Sequence, residues 1–563
     1  MSDMKLAICV VAIAVVFIAI CIKNYFDNKK RIRRIIKESF GKADNREYAY
    51  EEMASISYYF RKCHSADAID DITYQDLDFD SVFLLVNNTR SSIGREVLYR
   101  MLREVKTEKE ELDCREKIMN YFRENEEERI RFSKVFYDLG ISKRVSVFQY
   151  IESLFLLNTT GNFKNYMAIV LLIAAILFFA LVDPVNGVLL IIAVSGINIV
   201  GYYREKARVE LYFNSTKYIL KMLKGAATLA KKECSVLATD IEFFKEINRE
   251  FEPIKRGAFW INSGADFNGS ITDALLDYVR MLTHADLIKF NHSVKFIQNR
   301  NDRIVQLYER LGRIEAMISA ASFRELMPYT CVPEFTEEKD LEITDVYHPM
   351  IDNPVTNSIT TKNSVLITGS NASGKSTFLK AVAINAILSQ TIHTSLTKRY
   401  RAGRYTILSS MALSDSIENG ESYYMAEIKA LKRITDRVAG DGYVLAFIDE
   451  VLRGTNTVER IAASTQVLKY LDRDNVTVFA ATHDIELTHL LEKEYDNYHF
   501  EERVSDEDVT FDYTIREGRA QSRNAIKLLA LLGYDAKIVE DAKSLAEYFV
   551  IHGEWIGKEA ADT

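Results

Sequence analysis

The stretch that decides the fold of the C-terminal half begins Ser364-Val365-Leu366-Ile367-Thr368 and continues Gly369-Ser370-Asn371-Ala372-Ser373-Gly374-Lys375-Ser376-Thr377. Its first five residues predict a short buried strand, and the apolar residues after Thr377 predict a helix. The nine residues between them match G-x-x-x-x-G-K-[ST] in the strand–loop–helix context that identifies a phosphate-binding loop. The glycines let the backbone wrap phosphates, while loop N–H groups and the helix N-terminus supply partial positive charge. We expect all nine residues to bind a nucleotide, with Lys375 on the β- and γ-phosphates and the Ser376 hydroxyl on Mg²⁺.

Two further apolar runs follow this loop, and each ends in ionisable side chains. Tyr443–Ile448 predicts a buried strand that ends in Asp449 and Glu450, and Val476–Thr482 predicts another that leads to His483. A carboxylate at the first strand end can assist Mg²⁺ binding, and Glu450 is the expected general base for the attacking water. His483 is expected to hydrogen-bond the γ-phosphate and to respond to its loss. The predicted catalytic groups are Glu450, His483 and Lys375, and the predicted magnesium ligands are Ser376 and Asp449.

The motifs around these residues resemble those of the MutS family. Residues 369–377 look like the MutS phosphate loop, with its Asn at the third position. Residues 449–457 resemble the run D-E-x-x-R-G-T-x-T, and residues 419–427 are similar to the signature S-G-x-S-x-F-M-x-E. The His-Pro pair at 348–349 also stands where MutS proteins carry one. The resemblance therefore rests on four separate motifs.

This resemblance covers about residues 330–547 and implies an ABC-type ATPase that uses ATP and Mg²⁺ and works as a homodimer. It implies that Ser422 of one subunit completes the site of the other by contacting the γ-phosphate. Residues 70–105 look more faintly like the opening of the MutS core domain. The chain departs from the family where an apolar segment replaces the mismatch-recognition domain. It also departs at Val355, near where some relatives place an aromatic side chain on adenine.

An apolar segment at the N-terminus predicts a membrane anchor. Leu6–Ile22 carries no charged residue and is close to the minimum length for a helix that crosses a bilayer of about 30 Å. Six basic residues between Lys23 and Arg34 follow it, against Lys5 before it, so the N-terminus is expected outside and the following chain in the cytoplasm. A cleaved signal peptide is the alternative, but its charge would precede the apolar core. We expect the anchor over residues 1–34.

A second apolar region predicts a helical hairpin. Met167–Val182 and Val188–Tyr203 are separated by Asp183–Gly187, whose Pro, Asn and Gly suit a reversal. Basic residues flank the outer ends of the pair, which places both ends in the cytoplasm. A buried hairpin in a soluble core is the alternative, because each segment is short for a span. We expect a transmembrane hairpin over 166–203, and thus a multi-pass cell-membrane protein with a cytoplasmic ATPase domain.

The remaining regions predict helices followed by a domain of another kind. Residues 35–165 and 204–328 have apolar residues at helical spacing. A seven-residue seam through Ile297 and Ile318 predicts one long helix, which acts as a lever on the next domain or fills a bundle. Four of the six prolines lie between residues 328 and 354 and mark the boundary. The expected fold is a mainly α-helical core and lever domain with transmembrane helices. An α/β ABC-type P-loop ATPase domain with C-terminal dimerisation helices follows over 329–563.

Composition excludes some classes of protein. A chain of 563 residues exceeds the size of one core, so two or more domains are expected. The net charge of −8 argues against a protein that coats nucleic acid by bulk electrostatics, although a local basic face stays open. Six scattered cysteines without a CxxC pair indicate a reducing compartment and no structural zinc.

The expected function is that of a membrane-anchored MutS-like ATPase that binds and hydrolyses ATP as a dimer, with coupling to DNA left open. The alternatives are a membrane ATPase that acts on an unknown protein partner without binding DNA, and a transport ATPase. Three spans are few for transport, the sequence has no L-S-G-G-Q signature, and no charge lines the spans. A mismatch-repair protein proper is disfavoured because the recognition domain is missing.

Overall fold

The chain divides into two compact units. The computed structural model describes residues 2–44, 46–105, 108–158, 161–256, 261, 271–370, 373–411, 423–440, 442–453, 455–504, 509–520, 525–553 and 555. Unit 1 comprises Met1–Ser65, Leu85–Met101 and Asp113–Leu326. Unit 2 comprises Ala66–Leu84, Leu102–Leu112 and Met327–Thr563.

The chain before residue 327 is helical, as its apolar spacing predicts. Its helices are α1 (Ser2–Ser39), α2 (Tyr50–Cys63), α3 (Asp71–Asp76), α4 (Phe79–Val86), α5 (Ser92–Arg103), α6 (Lys109–Glu124), α7 (Glu126–Leu139), α8 (Val147–Leu156), α9 (Phe163–Leu181), α10 (Pro184–Leu229), α11 (Ala238–Glu250), α12 (Glu252–Lys255), α13 (Ile271–Thr283), α14 (Ala285–Gln298) and α15 (Asn301–Leu326). The expected long helix through Ile297 and Ile318 is wrong in one respect, because α14 ends at Gln298 and α15 begins at Asn301. Both isoleucines are nevertheless buried, so the apolar seam was identified correctly.

Two buried glutamates cap helices within unit 1. The Glu96 carboxylate accepts hydrogen bonds from the Ser146 hydroxyl at 2.5 Å and from the Val147 N–H at 2.9 Å, at the start of α8. The Glu315 carboxylate accepts one from the Ser91 N–H at 3.0 Å, at the start of α5. Burial raises the pKa of Glu315 to about 7. Each carboxylate satisfies helix N–H groups that have no partner inside their own helix.

The apolar hairpin consists of α9 and α10. The Asp183 carboxylate accepts hydrogen bonds from the N–H groups of Val185 at 2.9 Å and Asn186 at 3.3 Å, and Pro184 takes the first helical position. The expected turn over residues 183–187 is therefore wrong, because the aspartate cap and the proline start the helix at residue 184. The second helix also continues to Leu229 instead of ending near residue 203.

The outer surface of this hairpin is apolar. Val170, Ile173, Leu177, Leu189 and Ile192 are all exposed along it. By length and composition, α9 and the first 27 residues of α10 are the two helices of the described chain that could cross a bilayer, and 17% of each apolar window is buried. The anchor expected over residues 1–34 falls in α1, where most side chains before residue 22 lie outside the described set.

A polar cluster around His284 fixes the base of the hairpin. His284 connects α13 to α14 with φ of +54°. Its Nδ1 lies 2.9 Å from Asn165 Oδ1 and its Nε2 lies 2.9 Å from the Asn198 carbonyl oxygen. The Asn198 amide in turn donates to the carbonyl oxygens of Ala168 at 3.0 Å and Leu282 at 2.9 Å. This histidine therefore ties α9 and α10 to the connection between α13 and α14.

Unit 2 contains two β-sheets. Its strands are β1 (Glu334–Phe335), β2 (Leu341–Val346), β3 (Asn357–Thr361), β4 (Ser364–Thr368), β5 (Arg399–Ala402), β6 (Tyr405–Ser410), β7 (Tyr443–Asp449), β8 (Val476–Thr482), β9 (Tyr495–Val504) and β10 (Val509–Glu517). Its later helices are α16 (Lys375–Ile392), α17 (Tyr423–Arg437), α18 (Thr457–Leu471), α19 (Ile485–Leu490), α20 (Ala525–Leu531) and α21 (Ala536–His552). The strand orders are β1-β5-β2-β3 and β10-β9-β4-β8-β7-β6.

The larger sheet brings the predicted strands together. β4, β8 and β7 are adjacent and parallel, and β10 is the antiparallel strand at one edge. All five residues of β4 and all seven of β8 are buried, as expected for strands with both faces covered. The carboxyl ends of neighbouring parallel strands meet at one edge of the sheet, where ligands bind in open α/β sheets.

Two short segments, residues 66–84 and 102–112, belong to a different unit from the one that their sequence position suggested. Residues 66–84 fall within the helical region expected over 35–165, yet they pack in unit 2 against β6. The Asp76 carboxylate accepts hydrogen bonds from the Ser409 hydroxyl at 2.6 Å and the Met411 N–H at 2.9 Å. Because β6 is the last strand of its sheet, the segment 66–84 covers an edge that would otherwise present unpaired backbone groups.

Candidate nucleotide-binding site

The loop between β4 and α16 depends on two glycines. Gly369 and Gly374 have φ of +146° and +105°, conformations that other residues rarely adopt. A Cβ atom on Gly369 would lie 2.9 Å from the carbonyl oxygen of Phe500, so a side chain there would force a neighbour to move. Asn371 and Ala372 lie outside the described residues. The glycines allow the backbone to curve over the start of α16, as a phosphate-wrapping loop requires.

The Lys375 side chain folds back over this loop. Its Nζ donates hydrogen bonds to the carbonyl oxygens of Gly369 at 2.7 Å and Ser370 at 2.8 Å. Burial lowers the pKa of Lys375 to about 8, although the nearby carboxylates of Asp449 and Glu450 act in the opposite direction. A partly desolvated ammonium gains more from an anionic partner than from neutral carbonyl groups.

Ser376 and Asp449 are directly paired. The Ser376 hydroxyl donates to Asp449 Oδ2 at 2.5 Å, which joins the first turn of α16 to the end of β7. The part of the chain that the structure describes has no group of three or more His, Cys, Asp and Glu side chains arranged around one metal position. A hydroxyl and one carboxylate fit Mg²⁺, which takes oxygen ligands and commonly completes its shell with substrate phosphates and water.

Each carboxylate oxygen of Glu450 contacts a different side chain. Its Oε1 is 2.9 Å from His483 Nε2, and its Oε2 is 2.5 Å from Arg453 Nε. The His483 hydrogen bond, followed by the charges of Arg453 and Lys375, lowers the pKa of Glu450. His483 Nε2 also lies 3.4 Å from Lys375 Nζ. Glu450 is therefore ionised at neutral pH, as a group that accepts a proton from water must be.

A cavity of about 980 Å³ opens beside these groups. Its lining includes Lys375 and Glu450, together with Val355, Tyr513 and His348. Tyr513 has φ of +52° at the irregular register of β10. Burial and the charge of a neighbouring lysine lower the pKa of His348 to about 4, so its ring is neutral near pH 7. The cavity is thus lined both by charged side chains and by the less polar side chains of Val355 and Tyr513.

The structure brings the expected catalytic and magnesium-binding residues together. Lys375 contacts His483, which contacts Glu450, and Ser376 contacts Asp449, the residue that precedes Glu450. Ser422, expected to act on the opposite subunit, lies outside the described residues.

Two contributors had no predicted role. Arg453 was part of a quoted motif, but its direction toward Glu450 depends on the backbone after β7. Tyr513 reaches the cavity from β10, and no motif marks it. The feature that could have identified Tyr513 is an exposed aromatic residue on a strand next to the phosphate loop.

Residues 365–550 match the family model of MutS domain V. Through this domain, the C-terminal part of the chain is similar to the MutS family. All five residues of the contact set described above fall inside the matched range, whereas His348 and Val355 of the cavity precede it.

Individual relatives extend the similarity upstream of domain V. A DNA mismatch repair protein MutS of Persephonella marina is 27% identical over 300 residues, covering 50% of this chain and 34% of the relative. A DNA mismatch repair protein MutS of Aquifex pyrophilus is 23% identical over 376 residues, covering 60% of this chain and 43% of the relative. Human MutS protein homolog 4 is 29% identical over 300 residues, covering 47% of this chain and 32% of the relative. The chain thus spans less than half the length of these relatives.

Proposed function

We propose that this protein binds ATP with Mg²⁺ in the 980 Å³ cavity and hydrolyses it to ADP and phosphate. The observation that carries the proposal is the direct contact between residues from three strand ends: Lys375 and Ser376 after β4, Asp449 and Glu450 at β7, and His483 after β8. The match to MutS domain V supports it, since the matched range contains all five of these residues.

Each residue has a defined part in the proposed reaction. The N–H groups of the loop and the Lys375 ammonium bind the β- and γ-phosphates. Ser376 and Asp449 would hold Mg²⁺, which supplies charge compensation for the phosphates. Glu450 orients a water molecule and accepts its proton, while Arg453 and His483 hold the Glu450 carboxylate in place. Val355 and Tyr513 are proposed to contact the base, which would replace the stacking that an aromatic residue at position 355 would give.

The direct test compares two substitutions in the detergent-solubilised full-length protein. Lys375→Ala should abolish ATP binding, because the phosphates lose their cationic partner. Glu450→Gln should still bind ATP but hydrolyse it about 10² to 10⁴ times more slowly, because only the base is removed. Glu486→Gln makes the same chemical change at an exposed position and serves as the control. Equal loss of ATP binding in Lys375→Ala and Glu450→Gln would contradict the role given to Glu450.

We propose that the protein works as a homodimer. Helices α20 and α21 support this, because apolar side chains including Ile538, Leu545 and Phe549 are exposed on α21 at helical spacing. A shared site predicts that mixing Ser422→Ala subunits with Lys375→Ala subunits restores one intact site per heterodimer. Heterodimers as inactive as either parent would contradict the shared site.

We propose that the α9–α10 hairpin inserts into the cell membrane and that the ATP site faces the cytoplasm. The exposed apolar surface of α9 and α10 supports this location. Single cysteines at positions 186 and 210, in a background without the native cysteines, test it on intact cells. A membrane-impermeant thiol reagent should label position 186 only. Absence of labelling at both positions until the cells are opened would contradict a spanning hairpin.

DNA is a second candidate partner because two of the relatives are named DNA mismatch repair proteins. We propose to test it with duplex and branched DNA across a salt series, since phosphate contacts make affinity fall steeply with salt. Binding that is absent even at low salt would leave a protein partner as the target of ATP hydrolysis.

A further inference from the structure

The backbone that carries Glu450 is unusual. Glu450 and Leu452 have φ of +61° and +59°, although neither is glycine. Such conformations cost on the order of 1 kcal/mol or more each and persist only where surrounding contacts impose them. The Glu450 N–H is held by the Ala481 carbonyl oxygen at 2.9 Å, which fixes the first of the two residues to β8. Another contact must hold the segment after it.

That contact comes from Glu427, on the second turn of α17. Glu427 is 3% exposed, and its Oε1 accepts a hydrogen bond from the Arg453 N–H at 3.1 Å. Burial raises the pKa of Glu427, and the nearby backbone N–H groups of Arg453 and Leu452 act in the opposite direction. The buried carboxylate therefore accepts a hydrogen bond from the main chain directly after the left-handed residue at position 452.

The same segment directs the Arg453 side chain. Arg453 Nε contacts Glu450 Oε2 at 2.5 Å, and an Arg453 terminal nitrogen donates to the Asp449 carbonyl oxygen at 3.4 Å. Arg453 can reach back to Glu450 because its main chain is fixed, and its main chain is fixed by Glu427. Removing the carboxylate would free the Arg453 N–H and allow the strained backbone to relax.

We propose that Glu427 is a positioning residue for hydrolysis: its hydrogen bond to the Arg453 main chain sets the orientation of Glu450. The inference rests on the proposed ATPase function. Because Glu427 is carried by α17, a shift of this helix alters the alignment of Glu450 without displacing the nucleotide. Glu427 itself lies outside the residues that line the cavity.

Three substitutions at Glu427 distinguish a requirement for a correctly placed hydrogen-bond acceptor from a requirement for a negative charge. Glu427→Gln keeps a carbonyl oxygen at the same reach, so the catalytic rate should stay within about threefold of the wild type. Glu427→Asp keeps the charge but shortens the side chain by one carbon–carbon bond, so the rate should fall about tenfold. The catalytic rate of Glu427→Ala should fall at least as far. The KM for ATP should change by less than about twofold in all three, because the phosphate contacts remain.

The control is Lys432→Ala on the exposed surface of the same helix, where Lys432 pairs with Asp436 one turn further along. Rates are measured on the full-length protein, with ATP binding and thermal unfolding followed in parallel. A Glu427→Asp rate equal to the wild type, or a Glu427→Gln rate as low as Glu427→Ala, would overturn the proposal. A wild-type protein without ATPase activity would instead overturn the proposed function, so the two failures are distinguishable.

Discussion

The two units each contain a histidine at the centre of a polar cluster, and the clusters differ in the type of partner. His284 in unit 1 is 6% exposed and contacts an amide oxygen and a backbone carbonyl oxygen. His483 in unit 2 has a side chain that is 35% exposed and contacts Glu450 and Lys375. Neutral partners fixed by the backbone suit a permanent contact. Ionisable partners near a cavity suit a contact that changes when an anion enters.

The contacts of the partners strengthen this distinction. Asn198, which contacts His284, is held by two further carbonyl oxygens, so the cluster cannot rearrange without leaving buried groups unpaired. Within the described part of the chain, Lys375 by contrast bonds main-chain carbonyl oxygens of its own loop and His483, and phosphates can replace the carbonyl oxygens. The comparison predicts that His483 supports catalysis and that His284 supports folding.

The largest expected effect is on catalysis at His483. His483→Ala should lower the catalytic rate about 10² to 10³-fold, because Glu450 loses the partner of its Oε1 and the γ-phosphate loses a hydrogen bond. The free energy of unfolding should change little, since the ring is partly exposed. ATPase assays and thermal unfolding measure both, with His489→Ala at an exposed position of α19 as the control. A strong loss of stability without a catalytic defect would break the comparison.

The next effect is on stability at His284. His284→Ala should lower the free energy of unfolding by about 2–3 kcal/mol, because buried partners at Asn165 and Asn198 lose their hydrogen bonds. The catalytic rate per folded molecule should stay near that of the wild type. Unfolding in detergent is the measurement, and His292→Ala at an exposed position of α14 is the control. A variant as stable as this control would show that the His284 cluster is not structural.

The smallest effect concerns the pH dependence of ATP binding. The pKa of Lys375 is lowered to about 8 by burial, so the unliganded side chain loses its proton as the pH rises through that value. Bound phosphates favour the charged form, so binding above this pH requires proton uptake. Affinity should therefore weaken about tenfold between about pH 7 and about pH 9. Titration of Mg-ATP over this range measures it. An affinity that stays constant would mean that the Lys375 charge does not contribute to binding.

The candidate site was predictable where each part is local in sequence. Residues 369–377 and the charged ends of β7 and β8 are short motifs beside apolar strands, and the parallel order of those strands brings them together. The roles of Arg453 and Glu427 were not predictable, because they depend on two left-handed residues after β7. The contact of Asp76 with Ser409 joins positions 333 residues apart, and neither belongs to a recognised motif.

In the helical half too, only features that are local in sequence could be predicted. Apolar spacing identified the buried seam, but it could not locate the break between α14 and α15, since both helices place the same face in the core. The hairpin turn was expected to be longer because Pro, Asn and Gly are common in turns. Their order after Asp183 instead matches the start of a helix, where proline is tolerated at the first position.

The length of α10 has a mechanical consequence. Its 46 residues run without interruption from the tip of the hairpin to Leu229, a distance of about 69 Å at 1.5 Å per residue. The first part carries the apolar outer surface, and the same helix packs on α7, α8, α11 and α15 within unit 1. Because the helix has no break, a tilt of its first part also moves the part that packs within unit 1. If the hairpin inserts into a membrane as proposed, a change in bilayer thickness that tilts α10 would therefore act as a torque on the packed helices of unit 1.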